Sequence, residues 1–251
     1  MAPAHLDHAE LLATITAETA RLSGALAAAG LDAAVPTAPG WNTARLARHV
    51  GDAHRWAEAV VRTRATEFVA VTSLDDRTPP DDHDGVARWL ASGAQRLVAA
   101  LDEAGPDTEV WSWAQQPSSG FWARWAVHET LLRRVDVELA AGLAVTVDPG
   151  PAVDGVGHWL DVLALTDDGA HPLRGDGETV HLHATDGHGE WTLTRTPDGL
   201  RWAEGHARGD AALRAAAADL LLVLTGRRPV DGLDVRGDRA VLDALLADTE
   251  F

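Results

Sequence analysis

The chain of 251 residues contains no cysteine and no tyrosine, and it has a single methionine. The absence of cysteine excludes disulfide bonds, thiolate metal sites and cysteine nucleophiles. Any metal must therefore be held by histidine and carboxylate side chains, and any thiol chemistry needs a thiol brought in as a cofactor. A chain without disulfides is typical of a reducing compartment, so we expect a cytoplasmic location.

The sequence also lacks an apolar run of the roughly 20 residues that a membrane-spanning helix needs. Its N-terminus has neither the basic start nor the apolar segment of a secretory signal. Acidic residues outnumber basic ones by 38 to 21, which gives a formal charge of −17. Because this charge repels phosphate backbones and anionic lipids, we expect neither nucleic acid nor a membrane as a partner.

Some residue types are abundant instead. Alanine, arginine, glycine and aspartate are frequent while lysine is scarce, which is typical of a GC-rich genome such as an actinobacterial one. There are 10 tryptophans beside 3 phenylalanines. In so alanine-rich a chain, tryptophan can supply bulk to the core or line a ligand cavity.

The first 145 or so residues are predicted to be helical. Apolar residues recur at helical spacing in separate stretches, divided by segments rich in proline, glycine and aspartate. The predicted helices run over His5–Ala29, from Asn42 or Thr43 to Thr63, over Val86–Ala104, and from Ser118 or Ser119 to Ala141. Amphipathic helices with one apolar face each predict a four-helix bundle over residues 1–145.

The pattern changes after Gly142, and Asp148-Pro149-Gly150-Pro151 is predicted to be a linker. Alternating segments separated by turn residues then predict strands. The predicted strands are Thr179–Ala184, Glu190–Arg195, Leu200–Ala203 and Asp234–Arg236, and the predicted helices are Gly155–Leu165, Asp210–Thr225 and Ala240–Ala247. Residues 146–251 are thus predicted to be a small α+β domain, which makes the whole chain an α+β multidomain protein.

His49 is a polar residue on the predicted inward face of the second helix. The apolar residues Leu46, Val50 and Ala53 lie on the same face of this helix as His49, so His49 is predicted to face inward. His54 lies about 140° further round the helix, so we expect it nearer the surface. An inward histidine can be a core residue that is hydrogen-bonded to a carbonyl or carboxylate, or it can be a metal ligand.

Glu129 shares one face of the fourth helix with Trp125, Arg133 and Asp136. Because burying an isolated carboxylate costs several kcal/mol, Glu129 must be paired, protonated or metal-bound. One interpretation is a salt bridge to Arg133, four residues on; the other is a metal ligand. The neighbouring His128 points roughly 100° away, so the His-Glu-x-x-His motif of zinc proteases is absent and a metalloprotease is excluded.

Further candidates lie in the second half of the chain. His181 and His183 alternate on a predicted strand and so face the same side. Together with His188 in the next turn they form either a second metal site or a group of exposed surface histidines. Arg227 and Arg228 follow an apolar helix, where they can compensate its dipole or hold the carboxylate of an anionic ligand.

Three groups of segments agree in order and spacing with a known family. They are Pro39-Gly40-Trp41-Asn42-Thr43 with Arg48-His49-Val50; Phe121-Trp122, His128-Glu129-Thr130 and Arg134-Val135-Asp136-Val137-Glu138 with Gly142; and Asp219-Leu220-Leu221-Leu222-Val223-Leu224-Thr225-Gly226-Arg227. Over nearly the whole chain the sequence resembles the mycothiol-dependent maleylpyruvate isomerase family. The resemblance implies a DinB-like four-helix bundle followed by an α+β domain similar to sterol carrier folds.

The resemblance also implies a divalent metal, typically zinc, held by a histidine on the second helix and by Glu-x-x-x-His on the fourth. His49 and Glu129 match the first two ligands, but Arg133 stands where the third belongs. A guanidinium stays charged and cannot bind a metal. Either another group such as Asp52, His54 or Asp136 completes the site, or Arg133 has replaced the ion.

Two functions are compatible with these residues. The first is a mycothiol-dependent isomerase or transferase acting on a small electrophilic substrate, by thiol addition, bond rotation and elimination or by addition alone. In this function His49 and Glu129 hold the metal, Trp125 and Arg133 contact the thiol cofactor, and Arg227 or Arg228 positions an acidic substrate.

The second function is that of a metal-free protein that binds or transforms an organic ligand in a tryptophan-rich cavity, with a Glu129–Arg133 ion pair. The expected partners are small molecules, and a homodimer is left open.

Overall fold

The computed structural model describes residues 5–114, 117–165 and 173–249. The chain divides into two compact units. One is Asp7–Val145, and the other joins Thr146–Phe251 with the N-terminal Met1–Leu6. Among the described residues, no helix is both long and apolar enough to cross a membrane.

The first unit is a bundle of long helices. They are α1 (His8–Ala29), α2 (Thr43–Arg62), α3 (His83–Ala104) and α4 (Ser119–Ala140). Helix α1 packs against α3 and α4, and α2 packs against the same two helices. The predicted bundle is therefore confirmed.

Each helix of the bundle begins where a side chain caps free backbone N–H groups. Asp7 and Glu10 form a reciprocal capping box at α1. Asn42 caps α2 and Ser118 caps α4, which decides between the alternatives left open by the sequence. Helix α3 begins three residues earlier than predicted, because Asp82 accepts a hydrogen bond from the backbone N–H of Gly85 and so starts the helix before its apolar stripe.

The interior of the bundle contains an ion network as well as an apolar core. Arg134 of α4 is fully buried, and its Nε donates to Glu18 of α1 at 2.8 Å. Its Nη1 donates to Glu138 at 2.6 Å. The side chains of Glu18 and Glu138 are only 4% and 11% exposed, so this cation neutralises buried acidic groups on two helices.

The second unit contains a five-stranded sheet in the order β3-β2-β1-β4-β5. The strands are β1 (Thr179–Ala184), β2 (Glu190–Thr196), β3 (Gly199–Glu204), β4 (Ala211–Ala215) and β5 (Asp234–Gly237), with helices α5 (Pro149–Leu165), α6 (Ala217–Leu224) and α7 (Arg239–Ala247). Strands β1 and β4 are parallel, and the other neighbours are antiparallel. This mixed sheet with helices confirms the predicted α+β class.

Two predictions in this unit were wrong. Residues 149–151 of the predicted linker form the first turn of α5 instead. Proline is tolerated there because the backbone N–H groups of the first turn have no hydrogen-bond partner within the helix. The single helix predicted over Asp210–Thr225 is strand β4 followed by the shorter α6. Its first half pairs with β1 through the backbone, and this long-range pairing outweighs the helical preference of alanine.

Candidate functional site

His49 and Glu129 form a hydrogen-bonded pair between α2 and α4. The Nε2 atom of His49 lies 2.7 Å from Oε1 of Glu129. The histidine side chain is 41% exposed while the glutamate side chain is 15% exposed. The ring of Trp41 packs edge-on against the imidazole, with the ring centroids 5.3 Å apart. The pair thus combines a shielded carboxylate with an imidazole that is accessible from outside.

Arg133 extends this pair into a chain of polar contacts. Its Nε donates to the same Oε1 of Glu129 at 2.9 Å. Its Nη1 donates to Oδ2 of the fully buried Asp136 at 2.9 Å. The other oxygen of Asp136 accepts a hydrogen bond from the hydroxyl of Thr37 at 2.6 Å. The guanidinium therefore bridges two carboxylates, and the salt bridge to Glu129 that the sequence allowed is present.

The charge states follow from these contacts. Burial raises the pKa of Glu129, but the hydrogen bond from His49 and the charge of Arg133 outweigh burial and lower that pKa to about 2. Burial lowers the pKa of Arg133, yet Glu129 and Asp136 raise it further than burial lowers it. Glu129 is therefore a carboxylate that only accepts hydrogen bonds. His49 must donate from Nε2, and in its neutral form it keeps a lone pair on Nδ1.

The residues around His49 do not fit a metal ion. The Glu129 oxygen that faces His49 already accepts from the Arg133 guanidinium, which repels a dication. Within the described part of the chain, His49 and Glu129 belong to no group of three histidine or carboxylate side chains with ligand atoms close enough to share an ion. The alternative ligands are engaged elsewhere: Asp52 with Arg77, His54 with Thr130, and Asp136 with Arg133.

The position of His54 differs from the prediction, which was wrong in placing it near the surface. It is 1% exposed, and its Nε2 lies 2.8 Å from the hydroxyl oxygen of Thr130. That hydroxyl donates to the carbonyl of Ala126, so His54 is the donor in its contact with Thr130. Because α2 packs against both α3 and α4, its buried surface is wider than a single apolar stripe.

We expect His54 to make the stability of the protein depend on pH. Burial, aided by the charge of Arg55, lowers the pKa of His54 from 6.5 to about 4. Between these values the unfolded chain binds the proton and the folded chain does not, so stability is complete above pH 6.5 and falls as the pH drops. The free energy of unfolding should fall by roughly 2–3 kcal/mol from pH 7 to pH 4.5 through this group.

Urea unfolding of the parent and of His54→Gln at both pH values measures this contribution. Glutamine can still donate to Thr130 but does not titrate, so the variant should lose less stability at the lower pH. Equal losses in parent and variant would show that His54 is not the responsible group.

The tryptophans of the first unit form an aromatic cluster. Trp122 is fully buried and contacts Trp56 and Trp125 edge-on at centroid distances of 5.0 and 5.3 Å. Trp111, Trp113, Phe68 and Phe121 surround them. Two cavities in this unit, of about 550 and 350 Å³, are lined by none of these residues. The contacts among the rings favour the role of tryptophan as core bulk.

The other sequence candidates lie in the second unit. Arg228 pairs with Asp219, and Arg227 donates to the carbonyl of Thr225 at 2.6 Å. His181 and His183 face the same side of β1 as predicted, but His181 is only 6% exposed, so the interpretation as exposed surface histidines is wrong for it. Their close acidic neighbour is Glu190 on β2, which was not among the candidates predicted from the sequence.

Comparison with known proteins agrees with this architecture. The profile of the mycothiol maleylpyruvate isomerase N-terminal domain matches residues 12–138, and the profile of the C-terminal domain of the same family matches residues 150–244. Curated protein sequences give no significant match.

Two solved structures of the mycothiol-dependent maleylpyruvate isomerase resemble the chain over its length. One is 16% identical with a TM-score of 0.61, and the other, a mutant with alanine in place of a histidine, is 14% identical with a TM-score of 0.63. Each match covers 92% of this chain and 93% of the other. At this identity the structures show a shared fold.

The fold is that of a helical bundle joined to a mixed-sheet domain. With both family profiles matched in order along the sequence, the chain belongs to the mycothiol maleylpyruvate isomerase family.

Proposed function

We propose that this chain is a thiol-dependent isomerase or transferase that acts on a small electrophilic substrate and activates its thiol with the His49–Glu129 pair instead of a metal ion. The supporting observation is that one oxygen of Glu129 accepts hydrogen bonds from His49 at 2.7 Å and from Arg133 at 2.9 Å. Family membership supports mycothiol, or a related low-molecular-weight thiol, as the thiol concerned.

A thiol supplies a nucleophile that can add to an electrophilic double bond, allow rotation about the resulting single bond, and leave again. His49 accepts the thiol proton at Nδ1, because Nε2 is committed to Glu129. The carboxylate of Glu129 orients the imidazole and stabilises the imidazolium that forms. Arg133 fixes Glu129 by bridging it to Asp136. In a transfer reaction, the imidazolium returns its proton to the product.

The same proposal gives roles to the other candidates. The Arg133 side chain is 26% exposed, so its remaining N–H groups can bind a carboxylate of the thiol or the substrate. Trp125 lies one helical turn before Glu129 on α4, on the same helical face, and can offer an apolar surface to the thiol. In the second unit, Arg227 and Arg228 are the candidates for holding an acidic group of a ligand, which for Arg228 means exchanging its present partner, Asp219.

The test is a thiol-dependent assay in metal-free buffer. Maleylpyruvate and mycothiol are incubated with the protein in the presence of EDTA, and the change of double-bond geometry or formation of a thioether is followed by NMR. We expect activity to persist in EDTA within about twofold. We expect His49→Ala to lower kcat by roughly 10²–10⁴-fold, the usual contribution of a general base.

Calorimetric titration of mycothiol separates the failure of this mechanism from a failure to bind thiol. Glu129→Gln keeps the size of the side chain but removes its charge, so it should bind mycothiol and lose most of its turnover. Loss of activity in EDTA, or full activity of His49→Ala, contradicts a metal-free pair. Absence of mycothiol binding contradicts thiol chemistry altogether.

The second candidate function is a metal-free protein that binds an organic ligand. It is favoured by the exposed edge of the aromatic cluster, where Phe68 and Trp113 are 61% and 40% exposed. Binding of an aromatic carboxylic acid that quenches tryptophan fluorescence, in a protein that binds no mycothiol, would support this function over the first.

A further inference from the structure

A second group of histidine and carboxylate side chains lies on the sheet, outside the site described above. Strands β1 and β2 pair so that His183 stands directly opposite Glu190, and His181 lies two residues earlier on the same face as His183. Nδ1 of His183 is 2.7 Å from Oε1 of Glu190. Nε2 of His181 is 3.7 Å from Oε2 of the same carboxylate. In the part of the chain that the structure describes, these three residues are the group whose ligand atoms could share one ion.

The surroundings of His181 point independently to a ligand at this cluster. Its side chain is 7% exposed, and its Nε2 makes no hydrogen bond to any described residue although it points at the Glu190 carboxylate. A buried ring nitrogen without a hydrogen bond costs free energy, and ligation of an ion would offset that cost.

A fourth side chain is available for tetrahedral coordination. His206 follows β3, and its Nδ1 lies 3.0 Å from Oε2 of Glu190, while its ring packs edge-on against His181 at 5.1 Å. Ligands about 2.0–2.1 Å from zinc in a tetrahedral site are about 3.4 Å apart. These distances of 2.7, 3.0 and 3.7 Å run to both oxygens of Glu190. The ligand atoms of His181, His183 and Glu190 lie within 4.8 Å of one another, so the side chains must move closer together to share one ion, and His206 must join them from outside this group.

Charges near the cluster do not exclude a cation. Arg214 stands beside His183 on β4 and is the positive side chain of that neighbouring strand. It is exposed, so solvent screens its repulsion, whereas the Glu190 carboxylate contacts all three histidines directly.

We propose that His181, His183 and Glu190, joined by His206, bind a divalent transition metal such as zinc. Three imidazole nitrogens and one carboxylate oxygen match the ligands that this class of ion prefers. A bound ion would connect β1, β2 and the segment after β3. Four protein ligands leave no open position, so we assign the ion a structural role in the second unit. This inference does not depend on the function of His49.

The experiment is titration of the full-length chain, produced without a histidine tag and stripped with EDTA, with Zn²⁺ and with Co²⁺. We expect one equivalent of zinc to bind through this cluster, and Co²⁺ to give the intense visible absorption of tetrahedral coordination. His183→Ala and Glu190→Gln should each weaken zinc binding at least tenfold. Both side chains are 27% exposed, so these changes need not disturb the core as a change at the buried His181 could.

The matched control is His188→Ala, which removes an exposed histidine from the turn between the same two strands. It should bind zinc as the parent does. The proposal is overturned if the parent binds no zinc at 100 µM, or if His183→Ala and Glu190→Gln bind zinc as tightly as His188→Ala. Circular dichroism of each variant establishes that it is folded before its affinity is compared.

Discussion

Replacing Arg133 by histidine should create a zinc site that the parent chain lacks. The change removes the guanidinium from Oε1 of Glu129 and places an imidazole four residues after Glu129, on the same helical face. With His49 it gives three ligands and leaves one position open, the arrangement of catalytic zinc sites. We expect Arg133→His to bind one zinc equivalent more than the parent. Its affinity at this position should be at least about 100-fold higher, which is ~3 kcal/mol.

Arg133→Gln is the matched control for this gain. It removes the same positive charge without supplying an imidazole, so it separates the loss of repulsion from the gain of a ligand. Calorimetric titrations of Zn²⁺ into the parent and both variants should show the additional equivalent in Arg133→His alone. If both variants gain the additional equivalent equally, or if neither gains it, Arg133 does not stand in place of a metal ligand.

Replacing Arg134 by methionine should destabilise the bundle by about 3–5 kcal/mol, the usual result of removing one partner from a buried ion network. Arg134 is fully buried between Glu18 and Glu138, and methionine keeps most of its packing but removes the charge. The two glutamates then stay in the interior without that cation. Urea unfolding followed by tryptophan fluorescence measures the loss, because the aromatic cluster lies in the same unit.

Two further variants identify the cause of that loss. Arg62→Ala breaks the pair with Glu58, in which the arginine is 61% exposed, and should change stability by no more than about 1 kcal/mol. Adding Glu18→Gln and Glu138→Gln to Arg134→Met removes the buried charges, so the triple variant should regain part of the lost stability. If it is less stable than Arg134→Met, the explanation by uncompensated charge is wrong.

The features of the fold that could be predicted depend on residues close together in sequence. The helices of the bundle follow from apolar spacing, and for α2 and α4 also from the candidate capping residues Asn42 and Ser118. The first helix begins at His8 instead of the predicted His5, because Asp7 caps it. The salt bridge from Arg133 to Glu129 follows from their spacing of four residues. The helix predicted over Asp210–Thr225 was wrong in its first half, because the backbone of β4 pairs with β1, some 30 residues earlier. Nothing in the alanine-rich sequence of this segment indicates that pairing.

The details of the site depend on long-range contacts that the sequence does not specify. The hydroxyl of Thr37 reaches Asp136 across 99 residues, and nothing around Thr37 marks it as a partner. His54 is buried because α3 and α4 both pack against α2. The apolar periodicity of the α2 sequence does not show that a second helix covers it. Glu190 joins His181 and His183 only through the antiparallel register of β1 and β2. Pairing the predicted strands across the turn at residues 185–189 would have brought these three together.

The zinc content of the parent and of His49→Ala tests directly whether His49 holds a metal ion. Both proteins are purified without a metal-affinity column, incubated with excess Zn²⁺, exchanged into buffer and analysed by elemental mass spectrometry. If Arg133 has taken the place of the ion, the two proteins carry equal zinc per chain, whatever the cluster on the sheet binds. If His49→Ala carries about one zinc less per chain, His49 is a metal ligand and the account of a metal-free His49–Glu129–Arg133 site is wrong.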